Sequence, residues 1–344
     1  MRIAPAKDTG QVHCLRHNSR ILKGNTRGDP TERLLPVYTP PHYDESKAYP
    51  LFMDLVGYTG SGLSHVNWKP FGMNVPQRLD YLIAEKKMGP VIAAFPDCFT
   101  AYGGNQYINS SATGRYMDYL VDEIIPFIEN RFSVKPSREH RAVFGKSSGG
   151  YGALLHGMLR PDVWGAFACH SGDAYFEYAY LADMPDLLAV LVNHAESVEK
   201  FLQAMWSKEK LRHEEGMALM MIGMAAHYDP DPDAPLGFHL PIDVHTGEIR
   251  WERWEKWLDH DPVRLVERCA DNLRQLKGIF IDCGTKDQFK LLWGARLIHN
   301  KLLASGIDHE YQEFDDNHSD IDYRMNESLP FLYRALTKDN SSPG

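Results

Sequence analysis

The stretch Arg141-Ala142-Val143-Phe144-Gly145-Lys146-Ser147-Ser148-Gly149-Gly150-Tyr151-Gly152 decides how this chain is read. A short apolar run enters Gly145-Lys146-Ser147-Ser148-Gly149, and a helix-like stretch leaves it toward Leu159. That is the G-x-S-x-G pattern of a nucleophile elbow, in which a serine sits on a sharp strand-to-helix turn. Glycines two residues to either side are required because neighbouring backbone passes too close for a Cβ. Ser147 is therefore the candidate nucleophile. It lies at a helix N-terminus, where the Ser148 amide and the helix dipole favour a developing negative charge. The pair Lys146-Ser147 also imitates a phosphate-binding loop, but that motif needs another glycine where His140 stands. Read alone, the pentapeptide leaves a purely structural turn open.

Residues downstream weigh against the bland reading. A serine hydroxyl is a weak nucleophile, so acyl transfer needs a base to take its proton and a carboxylate to hold that base. Asp287 stands in the turn Gly284-Thr285-Lys286-Asp287, just beyond an expected strand ending at Cys283. His318 stands just beyond another ending near Phe314. Both positions deliver side chains to the carboxyl edge of an open sheet, in the order serine, acid, histidine. The rivals Asp282 and His309 lie in or beside strands rather than after them and are read as structural, while Asp315 and Asp316 are caps or supports of the His318 loop. The oxyanion hole needs two backbone donors. Ser148 supplies one, and Tyr58, in the run Val56-Gly57-Tyr58-Thr59-Gly60-Ser61-Gly62 after a strong strand, is the choice for the other. A flexible turn is the alternative there.

Working outward, short apolar runs alternate with longer amphipathic ones, the pattern of a mainly parallel sheet flanked by helices. Expected strands are Leu34 to Tyr38, Leu51 to Val56, Val91 to Phe95, Ala142 to Phe144, Ala166 to Cys169, Ile279 to Cys283 and Glu310 to Phe314. Met117, Leu120, Val121, Ile124 and Ile128 make one helix face, with a kink expected at Pro126. Further helices are expected over Phe289 to Ala304, stopping near Gly306, and over Asp322 to Thr337. The rhythm breaks between Asp173 and Pro262, where helix-like runs (Leu187 to Trp206, Glu214 to Ala226), a Pro/Asp-rich loop and Trp251, Trp254 and Trp257 follow one another. This division assigns 1–173 and 263–344 to a core and 174–262 to a largely helical cap insertion.

The chain has 344 residues, 43% hydrophobic and 24% charged, with a formal net charge of −9. That composition suits a globular enzyme, and the absence of a basic cluster argues against nucleic acid. No signal-peptide-like or membrane-spanning run is evident. The five cysteines, Cys14, Cys98, Cys169, Cys269 and Cys283, are scattered and never paired as C-x-x-C, which suits free thiols in a reducing, cytoplasmic setting.

These residues resemble the putative-esterase branch of the α/β-hydrolase superfamily, which takes in esterase D-like S-formylglutathione hydrolases, feruloyl esterases, enterochelin esterases and mycolyltransferases. The resemblance rests on Val37-Tyr38-Thr39-Pro40-Pro41 before Tyr43, the Gly57 loop, Phe95-Pro96-Asp97, Asp122-Glu123, and Gly145 to Gly152. It covers most of the chain outside the insertion. It implies an α/β-hydrolase fold and a triad of Ser147, Asp287 and His318. Many relatives have His-Gly where this chain has Val56-Gly57, and methionine where it has Ser148, so the substrate does not carry over.

Weaker candidates surround the expected site. Gln106, Tyr107 and Asn109 follow a strand and line the leaving-group side or a polar surface loop. His170, Ser171 and Asp173 brace the cap or make structural hydrogen bonds. Met217, Met220, Met221 and Met224 form an apolar stripe, read either as packed core or as an acyl-chain pocket or dimer surface. The run Asp229, Asp231, Asp233 imitates a calcium loop, but Ala234 and Leu240 replace the required glycine and glutamate. The expectation is a serine carboxylesterase without metal or cofactor, acting on a small-molecule ester, with no nucleic-acid or membrane partner and the oligomeric state open. An acyltransferase and a non-catalytic binding module are the alternatives.

Overall fold

A computed structural model describes residues 7–338. Eight strands form the main sheet: β1 (Gln11–Asn18), β2 (Glu32–Thr39), β3 (Leu51–Leu55), β4 (Ile92–Ala94), β5 (Arg141–Lys146), β6 (Ala166–His170), β7 (Gly278–Gly284) and β8 (Glu310–Phe314). Their order is β1-β2-β4-β3-β5-β6-β7-β8. β2 runs antiparallel to both β1 and β4, and all other pairings are parallel. The central strands β3, β6 and β7 are buried throughout, because helices cover both faces of a parallel sheet. Alternate residues feed different cores. Leu51, Met53 and Leu55 join the larger one, and Phe52 joins the smaller one with Phe144.

The helices that matter here are α1 (Val75–Ala84), α2 (Ser148–Leu159), α3 (Met184–Val192), α4 (Val198–Met205), α5 (His213–Tyr228), α6 (Trp251–Leu258), α7 (Pro262–Arg268), α8 (Leu291–Ala304) and α9 (Met325–Thr337). Three expectations need correcting. The edge strand β1 was not anticipated, because its half-exposed polar residues carry no apolar run. The expected helix over Leu187 to Trp206 is two helices, broken where Ala195 and Glu196 adopt positive φ. The helix through Met117 and Ile128 is distorted not by a simple proline kink but by a π-helical turn over Tyr119–Ile124, with Pro126 opening the α-helical turn that follows. The wider turn precedes the residue that lacks an N–H.

The 174–262 stretch builds no core of its own: Leu187, Phe201, Leu219, Trp254 and Trp257 belong to the same cluster as Leu51 and Leu55. Its two ends are tied together by the buried Asp261 carboxylate, which accepts from the amides of Tyr175 (3.0 Å), Phe176 (2.9 Å) and Val263 (2.9 Å). The calcium-like run is held by bases instead. Asp229 pairs with Arg253 and Lys256, and Asp231 with His239.

Two histidines buried in this common core set an expectation for acid stability. His156 Nε2 lies 3.1 Å from the Tyr107 carbonyl, and its Nδ1 accepts from the Trp164 indole at 3.0 Å. His227 Nδ1 lies 2.7 Å from the Gly223 carbonyl, while its Nε2 accepts the Gln106 amide at 3.4 Å. In each ring the second nitrogen faces a donor, so only the neutral form fits. Burial pushes both down from 6.5 to about 4. Between those pH values the unfolded chain binds protons that the folded chain refuses, so stability falls as pH falls, by on the order of 3 kcal/mol per histidine once pH 4 is reached. Thermal melts across this range should show a progressive drop in Tm; a flat profile would contradict the neutral-histidine assignment.

Candidate active site

Strand β5 delivers the elbow. Ser147 has φ 56° and ψ −128°, a strained conformation for a residue with a side chain. It is fixed from both sides: its amide donates to the His170 carbonyl at 3.0 Å, and its carbonyl accepts from Tyr151 at 2.8 Å. The flanking glycines are sterically required. A Cβ at Gly149 would come within 1.8 Å of the Leu55 carbonyl oxygen, and one at Gly145 within 2.3 Å of the same atom.

The turn after β7 and the loop after β8 bring Asp287 and His318 together. His318 Nδ1 lies 2.7 Å from Asp287 Oδ2. The other carboxylate oxygen of Asp287 accepts from the Phe289 amide at 2.9 Å. The backbone of His318 is held by the Gln288 side chain at 2.9 Å, and its ring meets Phe289 edge-on with centroids 4.8 Å apart. Because Nδ1–H is committed to Asp287, Nε2 is left as the basic nitrogen. Ser147 and His318 border one cavity of about 600 Å³.

The loop after β3 lines the same cavity. An added Cβ at Gly57 would lie 3.4 Å from Ser147 Cβ, which places this backbone directly beside the nucleophile. The Tyr58 ring anchors the loop. Its hydroxyl donates to the Tyr102 carbonyl at 2.9 Å, and it packs so closely on Gly104 and Gly223 that a Cβ at either would clash. The backbone amides of Tyr58 and Ser148 both belong to residues bordering the cavity.

Other candidates sort differently. Asp282 is buried between His170 Nδ1 (2.7 Å) and Arg324 Nε (2.8 Å), and His309 bonds to His299 at 2.7 Å, so both sit in structural networks. His170 also meets Ser328 Oγ at 2.8 Å, and the Ser171 amide donates to the Asp282 carbonyl. Gln106, Tyr107 and Asn109 are not among the residues that border the cavity, so the leaving-group alternative is not met, while exposed Asn109 fits the surface-loop one. Tyr107 is buried with its hydroxyl on the Val56 carbonyl (2.5 Å), and Asn109 turns outward to Asp118. Gln106 is wholly buried behind the elbow, donating to Ser148 Oγ (2.9 Å) and Asp173 Oδ2 (3.2 Å). Asp173 does border the cavity. It also accepts from Ser148 Oγ and Tyr180, and burial raises its carboxyl pKa.

The methionine stripe divides. Only the first turns of α5 reach the cavity, so Met217 and Met220 border it, while Met221 and Met224 are buried in the core. Sequence reasoning missed the cavity's charged members His65, Lys69 and Asp322 altogether. It read Lys146 only as part of the elbow.

This geometry has close parallels. Residues 30–326 match the model of the family described as Putative esterase. The chain belongs to that family. Membership places it among the esterases and agrees with the α/β-hydrolase strand order seen here. A curated relative, the endo-1,4-beta-xylanase/feruloyl esterase of Xylanibacter ruminicola, is 30% identical over 121 residues, 34% of this chain and 16% of that protein. This esterase-family chain thus matches only a small part of that relative's length. Among solved structures, a ferulic acid esterase superposes with TM-score 0.61 at 18% identity, covering 96% of this chain and all (100%) of that one. An S-formylglutathione hydrolase of Staphylococcus aureus gives 0.58 at 14% identity, covering 94% and 99%. At these identities the two structures establish the shared fold.

Proposed function

We propose that the protein is a serine carboxylesterase working through an acyl-Ser147 intermediate. The observation that carries this is that His318, bonded to Asp287 at 2.7 Å, borders the same cavity as a serine on a strained elbow. In this reading His318 Nε2 takes the Ser147 proton as Oγ attacks the ester carbonyl, while Asp287 holds the ring and balances the imidazolium. The oxyanion accepts hydrogen bonds from the amides of Ser148 and Tyr58. His318 then protonates the departing alcohol and afterwards activates the water that releases the acid. The free state of all five cysteines supports placing the enzyme in the cytoplasm, and among the described residues no helix is long and apolar enough to cross a membrane. The test combines chromogenic esters of graded acyl length with mass spectrometry after treatment with a serine-reactive phosphonate. Turnover together with an adduct on Ser147 is expected. Neither turnover nor adduct would leave a binding module as the better reading.

The 174–262 insertion acts in this scheme as a cap that sets acyl selectivity. Supporting this, Ala179, Tyr180, Met217 and Met220 all reach the cavity from it. Methionine adapts to irregular apolar ligands. Met217→Ala and Met220→Ala should therefore shift the kcat/KM ratio between short and longer acyl esters, by roughly 1 to 3 kcal/mol per methylene-sized change of fit. Met221→Ala and Met224→Ala should lower stability instead. If the two cavity variants keep the parent acyl-length profile, the methionines are packing only.

A further inference from the structure

Part of the cavity lining is charged, and the ester chemistry above leaves these charges without a task. His65 and Lys69 follow the Gly57 loop, Lys146 precedes the nucleophile, and Asp320 and Asp322 follow His318; all five border the cavity. Two of the three bases are already committed. His65 Nδ1 lies 2.6 Å from Asp54 Oδ2, which is completely buried on β3, and Lys69 is paired with Asp322. The Lys146 ammonium has no hydrogen bond or ion pair among the described residues, yet it is buried deeply enough that desolvation depresses it below the ordinary lysine range. The carboxylates that act on it through space, Asp322, Asp320 and Asp287, make no hydrogen bond to it: Asp322 is paired with Lys69, Asp287 with His318, and Asp320 is exposed, where solvent and salt weaken its pull. A partly desolvated cation without a direct hydrogen-bond partner has lost hydration that an anion or a polar acceptor in the cavity restores. His65 adds to the attraction. Its bond to Asp54 favours the charged ring, and its Nε2 has no hydrogen bond among the described residues.

The position of this charge within the cavity gives it a direction. The leaving oxygen must come within reach of His318 for protonation, and Asp320 and Asp322 extend from that same loop toward Lys146. The insertion contributes mainly apolar groups to the lining, Ala179, Tyr180, Met217 and Met220, with His213 beside them. We propose that Lys146, supported by His65, receives a carboxylate carried on the alcohol portion of the ester, so that the preferred substrates are esters of hydroxy acids. This rests on the esterase reading and extends it to the substrate class.

The test compares the acetyl ester of 4-hydroxybenzoate with that of 4-hydroxybenzamide, which share the acyl group and differ in the anion. The kcat/KM ratio should favour the carboxylate by about tenfold, the scale of one charge-assisted hydrogen bond. Lys146→Met should abolish most of that preference, and Lys146→Arg should restore it. A wild-type ratio near one, or a ratio that survives in Lys146→Met, overturns the proposal. Should Lys146→Met fail to fold, the wild-type ratio and its decline with added salt decide alone. Calorimetric binding of 4-hydroxybenzoate reads the site without turnover. If neither ester is hydrolysed and Ser147 takes no phosphonate, the esterase reading fails while this binding still reports on the anion site. Binding to the wild type that is lost in Lys146→Met supports the site, and no binding to the wild type overturns it.

Discussion

Ser147→Ala and His318→Ala are each expected to lower kcat on a neutral chromogenic ester by roughly 10⁴ to 10⁶, and combining them is expected to cost little more. The non-additivity is the informative part. Nucleophile and base act as one unit, so once either is gone the other has no proton transfer to complete. Folding should survive. Ser147 holds its place through backbone bonds to His170 and Tyr151, and alanine accepts the same strained φ that serine does. His318 is likewise held through its amide by Gln288. Circular dichroism and thermal melts of the variants provide the control. Ser148→Ala tests the elbow from the other side. Its hydroxyl is spent on Asp173 and Gln106, and the catalytic role assigned to it needs only its amide, so the variant should keep most of its activity. An inactive Ser148→Ala protein beside an active Ser147→Ala protein would reverse the assignment.

The elbow was legible from the sequence because its constraints are local. Gly145 and Gly149 are demanded by the Leu55 backbone at 2.3 and 1.8 Å, and no other residue type fits. The strands were legible for a similar reason. Burial on both faces makes β3 and β7 largely apolar runs, each carrying a single buried aspartate (Asp54, Asp282), whereas the half-exposed β1 leaves only a weak alternation. What stayed hidden depends on distant contacts. Asp54 and His65 are eleven residues apart and become a pair only when the loop after β3 folds back. Lys69 and Asp322 are 253 residues apart, one following the central strand β3 and the other the edge strand β8. The methionine stripe misled because helical periodicity reports which residues share a face, not how far along the helix a cavity extends. Gln106 misled because a polar residue after a strand is as useful for bracing the elbow from behind as for meeting substrate.

Asp287→Asn is expected to reduce kcat by roughly 10⁴ in a protein that still folds. The reason is the tautomer. Asp287 Oδ2 accepts the Nδ1 proton of His318 at 2.7 Å, whereas an asparagine amide turned toward the ring presents N–H groups. The imidazole then carries its proton on Nε2, where it can no longer take the one from Ser147, and the imidazolium that forms during acylation loses its counter-charge. The neighbouring Asp282 supplies the comparison. It lies five residues earlier on β7, and its oxygens are spent on His170 and Arg324 rather than on the cavity. Asp282→Asn removes the central charge of a buried pair of bonds, which costs on the order of 3 kcal/mol of stability, and should lower Tm while the folded fraction keeps its turnover rate. Measuring kcat per phosphonate-titratable site, with thermal melts of both variants, separates the two effects. A folded Asp282→Asn protein with the larger catalytic loss would move the acid of the triad from the turn after β7 into the strand itself. The bond between Asp287 and His318 would then be scaffolding.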